Sequence, residues 1–378
     1  MNLSAVLNLG MCKYRGKRMA TNYPPPKPPI DTNTAETKEF SATVQNALKQ
    51  LISNRLGKAE SKEETLSEAL KPADIKGSGF NIVNTTGGVI DLSKVATKDL
   101  QNLLKINVTG NQQTDITIKN NNFSGVIVMG DGDGVNINTV NLVTNKSVVV
   151  ETGKGNDSVS TGSGADSVVI SAGNDTVKTG SGNDRVVIKS DFVGKAIVDG
   201  GSGTNTLSLS GVGKITVDAK GNFMADMDKL DSSVGFKNFK AVVLGDDPTL
   251  VDIAKSKTSM SFATGTGNDT ITLGSGKDTI VLAGGNDSIN TGAGVDIVKL
   301  AANFKGTLTL DGGAGSDKLD LSANNIRSVE KIDATLKVTL DDGSVLNVAN
   351  IENFIYDANG DLYGGITTVG VNALDKLF

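Results

Sequence analysis

The sequence contains no histidine, no tryptophan and a single cysteine, Cys12, among its 378 residues. These absences exclude disulfide bonds within the chain, zinc sites made of cysteine and histidine, HExxH metalloprotease sites and Ser-His-Asp triads. Aromatic residues account for 4% of the chain, whereas 45 residues are glycine, so a conventional core filled by large rings is not expected. The metals that remain are those that prefer oxygen ligands, chiefly calcium.

Long apolar runs and excess positive charge are missing too. No stretch of 18 apolar residues occurs, so the sequence predicts no membrane-spanning helix. The net charge of −5 argues against a nucleic-acid partner and favours cations. The basic cluster between Lys13 and Arg18 follows the first apolar stretch, which is the reverse of the order in a Sec signal peptide.

The first residues differ in composition from the rest. Residues 1–36 are expected to be a disordered leader with a stiff polyproline arm, because five of the seven prolines lie between residues 22 and 29. Residues 37–72 are expected to be helical, with an amphipathic helix over about 37–56 and a more charged one over Lys62–Leu70. This helix pair caps the following chain, self-associates or docks on a larger partner, because it cannot bury its apolar stripe alone.

Residues 73–151 consist of short β runs and are expected to begin a β-rich solenoid. One helix, at Ser93–Lys105 with Ser93 as its N-cap, is predicted to interrupt these runs.

A nine-residue repeat dominates the remaining chain, in two blocks that follow the same plan of four nonads, a gap and one further nonad. The third nonad of each block lacks its first turn glycine, which is replaced by Ser171 and Ala283. An internal duplication thus gives a first module, 152–263, and a second module, 264–378, which ends in a hairpin and a secretion signal. Residues 209–263 either continue one solenoid, which is the favoured interpretation, or form an insert between two rolls. The nonads of the first block begin at Thr152, Thr161, Ile170, Thr179 and, after a gap, Gly200; those of the second begin at Thr264, Leu273, Leu282, Thr291 and, after a gap, Gly312.

Each nonad joins six residues of turn composition to three of strand composition. Glycines two apart permit a tight turn, and so short a strand has to pair with the equivalent strand of a neighbouring coil. Two nonads therefore form one coil, and the eighth residue of each nonad points inside. The predicted fold is mostly β, a parallel β-roll or β-helix solenoid with short N-terminal helices. The ten inward residues are all apolar: Val159, Val168, Val177, Val186, Leu207, Ile271, Ile280, Ile289, Val298 and Leu319.

Stacking of the coils brings aspartates and glycine-region carbonyls together in pairs of turns. Such a cluster repels itself unless a cation takes the oxygens as ligands, and Ca²⁺, with roughly 6–8 oxygen ligands, suits it. The alternative is a solenoid that needs no metal, in which Gly-Asn-Asp is merely good turn chemistry. The stacked pairs are Asp157 with Asp175, Asp166 with Asp184, Asp269 with Asp287 and Asp278 with Asp296, and the gaps add Asp184 with the uncharged Asn205 and Asp296 with Asp317. The candidate calcium residues are these and the turn glycines Gly153, Gly155, Gly162, Gly164, Gly173, Gly180, Gly182, Gly203, Gly265, Gly267, Gly274, Gly276, Gly285, Gly292, Gly294 and Gly315.

The pattern G-G-x-G-x-D-x-U-x, present as GGAGSDKLD at Gly312 and as TGTGNDTIT at Thr264, resembles the repeats of the RTX (repeats-in-toxin) family. The resemblance covers residues 152–208 and 264–320. It implies a parallel β-roll with Ca²⁺ between its turns, type I secretion through an uncleaved C-terminal signal, and folding outside the cell. Where Ser171 and Ala283 depart from the pattern, it implies weaker calcium binding.

Three classes of function follow from this sequence. The first is a non-enzymatic, calcium-binding extracellular or cell-surface protein with a structural or adhesive role. The second is a virion protein, a phage fibre or head decoration, that the N-terminal segment anchors. An enzyme is the weakest, because residues 37–150 contain no GxSxG motif and no convincing carboxylate pair. The expected partners are calcium, further copies of the chain through the N-terminal helix, and a cell-surface, glycan or virion component.

Overall fold

The computed structural model describes residues 63–66, 70–76, 82–130, 137–229, 231–357 and 366–370. The regular structure there is mostly β, as predicted, with two helical turns, α1 (Pro72–Ile75) and α2 (Thr97–Leu100). Before the first block the strands are β1 (Glu63–Leu66), β2 (Ile82–Thr85), β3 (Gly88–Asp91), β4 (Lys105–Val108), β5 (Thr114–Lys119), β6 (Val126–Val128), β7 (Thr139–Val143) and β8 (Val149–Glu151).

The first module, 152–263, contributes β9 (Ser158–Ser160), β10 (Ser167–Ile170), β11 (Thr176–Lys178), β12 (Arg185–Ile188), β13 (Lys195–Asp199), β14 (Thr206–Leu209), β15 (Val212–Val217), β16 (Phe223–Met227), β17 (Ser233–Lys237), β18 (Ala241–Leu244), β19 (Leu250–Asp252) and β20 (Ser261–Ala263). The second module, 264–378, contributes β21 (Thr270–Thr272), β22 (Thr279–Leu282), β23 (Gly285–Asn290), β24 (Ala293–Gly294), β25 (Ile297–Leu300), β26 (Gly306–Asp311), β27 (Ala314–Gly315), β28 (Lys318–Asp320), β29 (Ile326–Ile332), β30 (Thr335–Leu340), β31 (Val345–Ala349), β32 (Asn353–Asp357) and β33 (Ile366–Gly370).

Within the repeat blocks the chain alternates between two long sheets. Sheet A has the order β1-β2-β4-β6-β8-β10-β12-β14-β18-β20-β22-β25-β28-β32-β33, and sheet B has the order β29-β30-β31-β26-β23-β21-β19-β15-β16-β17-β13-β11-β9-β7-β5-β3. Parallel neighbours within a block, such as Ser158 and Thr176, are two nonads apart in sequence. The predicted coil of strand, turn, strand and turn is therefore confirmed, and the fold is a parallel β-solenoid.

The interior of the solenoid is apolar and combines ladders of aliphatic residues with buried phenylalanines such as Phe192, Phe262 and Phe304. All ten position-eight residues are at most 3% exposed, as the repeat register predicts, and they belong to one continuous cluster with residues from both sheets. Burying a valine, leucine or isoleucine side chain contributes about 1.5–3 kcal/mol. A ladder of such residues stabilises the coils, and the buried phenylalanine rings add to it, so the expectation of a core without large rings is wrong.

Residues 209–263 continue the solenoid and do not separate two rolls. In sheet A, β14 pairs with β18 and β18 with β20, in parallel throughout. In sheet B, the antiparallel run β15-β16-β17 joins β13 to β19. The second module repeats this excursion as β29-β30-β31, so the duplication extends beyond the nonads.

Two helix predictions are wrong. Residues 63–66 form the edge strand β1, parallel to β2, within the predicted helix Lys62–Leu70. The predicted helix at Ser93–Lys105 shrinks to α2, because the chain must turn back into β4 to pair with β2 and already buries Val95 and Leu103. The segment that was predicted as a leader and first helix, residues 1–56, lies outside the described residues.

The predicted C-terminal hairpin is present, since β32 and β33 pair in the antiparallel sense. Within the described ranges, no helix combines the length and the apolarity that crossing a membrane requires.

Candidate metal centres

The repeat aspartates lie along the two edges of the solenoid, inside its turns. We call edge B the turns that lead into sheet B, with Asp157, Asp175, Asp269 and Asp287, and edge A those that lead into sheet A, with Asp166, Asp184, Asp278, Asp296 and Asp317. Each of the nine aspartates is at most 3% exposed, and Asn205 on edge A is fully buried. Carboxylates are rarely this buried unless they are paired or bind a metal.

One oxygen of each carboxylate, Oδ1, accepts a hydrogen bond from the neighbouring coil. The backbone N–H of Asp157 donates to Oδ1 of Asp175 at 2.7 Å, in the next coil, and the same bond recurs at every predicted pair. The structure therefore brings the predicted pairs together. The further bonds run from Asp166 to Asp184 at 2.9 Å, Asp269 to Asp287 at 2.9 Å, Asp278 to Asp296 at 2.8 Å, Asp184 to Asn205 at 2.9 Å and Asp296 to Asp317 at 2.8 Å.

The second carboxylate oxygen, Oδ2, makes no hydrogen bond to any described residue in most of these aspartates. Among the residues that the structure describes, none makes a hydrogen bond to this buried atom in eight of the nine aspartates. A buried, unpaired carboxylate oxygen is costly, because water is excluded and nothing replaces its hydration. These eight are Asp157, Asp166, Asp175, Asp184, Asp269, Asp287, Asp296 and Asp317.

Burial raises the pKa of these carboxyls. Desolvation raises the pKa of Asp175 to about 8, against a hydrogen bond from the Asp157 backbone that lowers it, and the Asp157 charge adds to the rise. Desolvation likewise raises the pKa of Asp269 to about 7, with the Asp287 charge contributing. On both edges, protonated or cation-bound carboxyl groups are thus favoured over free carboxylates.

We expect the metal-free protein to be more stable at pH 5 than at pH 9. A carboxyl whose folded pKa exceeds its unfolded value of 3.8 stabilises the fold fully below about pH 4 and loses that contribution as the pH rises through about 8 for Asp175. Far-UV circular dichroism in EGTA at both pH values measures the effect, as a larger folded fraction at pH 5. In excess calcium the trend should reverse, since metal ligands must be deprotonated. An identical metal-free β signal at pH 5 and at pH 9 would contradict the assignment.

The turn glycines let successive carbonyls stack closely. A Cβ on Gly182 would overlap the carbonyl oxygen of Gly164, and Gly285 stands in the same relation to Gly267. Both glycines also have positive φ, +139° and +108°. Most of the predicted turn glycines are stacked on the preceding coil in this way, namely Gly162, Gly164, Gly173, Gly180, Gly182, Gly203, Gly265, Gly267, Gly274, Gly276, Gly285, Gly292, Gly294 and Gly315, while Gly153 and Gly155 are buried in the first turn.

The arrangement fits a hard cation bound largely by the main chain. In the described ranges no three Asp, Glu, Cys or His side chains converge on one point. Each stacked pair instead offers two carboxylates and the carbonyls of glycine turns, the oxygen donors that Ca²⁺ accepts. At Ser171, where a turn glycine is missing, the hydroxyl donates to the Thr152 carbonyl oxygen at 2.7 Å and so takes up one of these oxygens.

Several residues that hold the turns were not found from the sequence. Oδ1 of Asn156 accepts the N–H of Asn174 at 2.7 Å, so the asparagine of each Gly-Asn-Asp also ties one coil to the next. The side chain of Asn138, which precedes the first nonad, donates to Asp157 at 2.7 Å. The recurrence of asparagine before aspartate was the available signal for the former, whereas Asn138 lies outside the repeats.

Comparison with family models matches the RTX calcium-binding nonapeptide repeat in four copies, over residues 149–177, 171–187 and 263–298. No curated protein matches the chain by sequence. The matched residues fall in both blocks and exclude the fifth nonads at Gly200 and Gly312. The chain thus carries calcium-binding nonapeptide repeats of the RTX family, folded as a parallel β-solenoid.

Proposed function

We propose that this chain is a non-enzymatic, calcium-stabilised extracellular protein with a structural or adhesive role, whose solenoid folds when calcium binds. The buried Oδ2 atoms along both edges carry the proposal. These atoms make no hydrogen bond within the described residues, yet they recur in register in both blocks. A fold that needed only turn chemistry would have no reason to bury so many carboxylates.

Calcium would be held between stacked turns by the aspartate pairs and the turn carbonyls. On edge B these pairs are Asp157 with Asp175 and Asp269 with Asp287. On edge A they include Asp278 with Asp296. When bound, the ion supplies positive charge to oxygens that otherwise repel one another, which ties each coil to the next.

Replacing Asp287 by Asn tests the role of a single carboxylate. Asp287→Asn keeps an oxygen acceptor for the Asp269 N–H and removes the charge, so the backbone ladder remains. We expect the calcium concentration at the folding midpoint to rise about tenfold or more, because a charged ligand is lost. The same change should stabilise the metal-free protein at pH 8, because it removes a buried carboxylate. Desolvation raises the pKa of the Asp287 carboxyl group to about 6.

The matched control is Asp252→Asn, an exposed aspartate on the face of sheet B. It should leave the calcium midpoint unchanged. Equal midpoints for Asp287→Asn and the wild type would contradict a role for the edge carboxylates in binding.

The absence of histidine supports a role without catalysis, as does a repeat fold that is typically non-catalytic. Export is supported by the family, since RTX repeat proteins are usually secreted. An extracellular site would also supply the calcium that modules with a Kd of about 10⁻⁴–10⁻³ M require.

Deletion of residues 371–378 tests export by a type I system. The deletion removes the terminal ALDKLF and keeps every strand through β33. Co-expressed with a type I exporter, the shortened chain should stay inside the cell, while the full chain appears in the medium. Undiminished export of the shortened chain would count against a signal there, and capsid or tail genes beside the coding gene would favour a virion role.

A further inference from the structure

The ladder on edge A continues one coil beyond the last nonad of the second block. Asp317 donates its backbone N–H to Oε2 of Glu352 at 2.7 Å, just as Asp296 donates to Asp317 at 2.8 Å. Glu352 directly precedes β32, the next strand of sheet A, and the N–H of Asn353 donates to the carbonyl oxygen of Asp317. Glu352 therefore occupies the place at which another nonad would put its aspartate.

The aspartate of the preceding coil has an oxygen with no donor. Asp317 is 1% exposed, its Oδ1 accepts the N–H of Asp296, and its Oδ2 has no hydrogen-bond partner within the described part of the chain. The Glu352 carboxylate adds a second negative charge beside it. Desolvation above all, together with the charges of Asp296 and Glu352, raises the pKa of Asp317 to about 6.

At the equivalent end of the first block, the two carboxylates are replaced by an amide and a basic side chain. At the corresponding positions of that block, Asn205 replaces Asp317 and Lys240 replaces Glu352. The Asn205 amide donates to the carbonyl oxygens of Gly200 and Asn238, and the Asn205 backbone carbonyl accepts the N–H of Lys240. The first block thus ends in a hydrogen-bonded amide and an ammonium group, where the second ends in two carboxylates.

We propose that Asp317 and Glu352 form an additional calcium position at the end of the second block, outside the nonads, with no counterpart at Asn205 and Lys240. This inference rests on the proposed function, because it extends the same ladder by one coil. The two carboxylates supply the charge, and main-chain carbonyls and water supply the remaining oxygens, as in other calcium sites.

Counting bound ions tests the proposal. Equilibrium dialysis of the full chain against radioactive Ca²⁺ should give one ion fewer for Glu352→Gln than for the wild type. The glutamine keeps an acceptor for the Asp317 N–H, so circular dichroism should show an unchanged fold. Lys240→Gln, the matched change in the first block, should bind the wild-type number of ions.

A gain-of-site pair makes the test independent of the stability of the Glu352 variant. Asn205→Asp combined with Lys240→Glu copies the two carboxylates into the first block, and it should bind one ion more than Asn205→Asp alone. Equal ion numbers and affinities in Glu352→Gln and the wild type, or no gain in the double variant, would overturn the additional position. A wild-type chain that bound no calcium would instead overturn the proposed function.

Discussion

Chelating calcium at neutral pH should unfold both repeat blocks, and returning calcium should refold them. Each ion that binds only the folded chain adds about 2.7 kcal/mol when calcium is a hundredfold above Kd. Four sites alone would therefore supply about 11 kcal/mol, which is comparable with the whole stability of an ordinary domain, about 5–15 kcal/mol. Far-UV circular dichroism with EGTA and with millimolar calcium measures the change.

Magnesium is the control for this experiment. It carries the same charge but demands a smaller, near-octahedral set of ligands and gives up its water reluctantly. At equal concentration it should restore little of the β signal. Hydrogen exchange should locate the calcium-dependent protection in residues 152–208 and 264–320. An identical β signal with and without calcium would show that the edge carboxylates are not held by metal.

Replacing Gly285 by alanine should destabilise the calcium-loaded protein by about 2–5 kcal/mol. Gly285 has φ +108°, and its Cβ would overlap the carbonyl oxygen of Gly267 in the preceding coil. The left-handed conformation costs about 1–2 kcal/mol for a residue with a side chain. Overpacking against backbone that cannot move adds about 1–3 kcal/mol or more.

Gly221→Ala separates these two costs. Gly221 also has positive φ, +84°, but no atom lies within 4 Å of the added Cβ. This variant should lose only about 1–2 kcal/mol, the conformational cost alone. Thermal melting in excess calcium compares the two variants. Equal melting temperatures would show that the coils can move apart, and that carbonyl stacking does not fix the edges.

The repeat register made most of the edges predictable. Once two nonads form a coil, their combined length places Asp157 next to Asp175 and turns Val159 inward, with no further information needed. What the register could not show is that the two oxygens of each carboxylate have different interactions. One oxygen caps a backbone N–H of the adjacent coil and the other stays unpaired, which depends on atomic positions that composition does not encode.

The errors lie where the repeat is absent. Of the predicted helix Ser93–Lys105 only the single turn α2 forms, and Val95 and Leu103 are buried outside it. The predicted helix Lys62–Leu70 was wrong because residues 63–66 pair in parallel with β2, and pairing with a neighbouring strand overrides a local helix preference. Glu352 was missed because it follows no nonad, and only the structure places it in the ladder.

Coils that are neighbours in the solenoid are also close in the sequence. Within each block, the hydrogen bonds between adjacent turns join residues 18 to 21 positions apart in the sequence, and across an antiparallel excursion the separation in sequence is 38. Each coil can therefore pair with a coil that is close to it in the sequence, and no contact between distant parts of the chain is needed first. If the chain is exported as we propose, its coils could then form one after another as they leave the exporter.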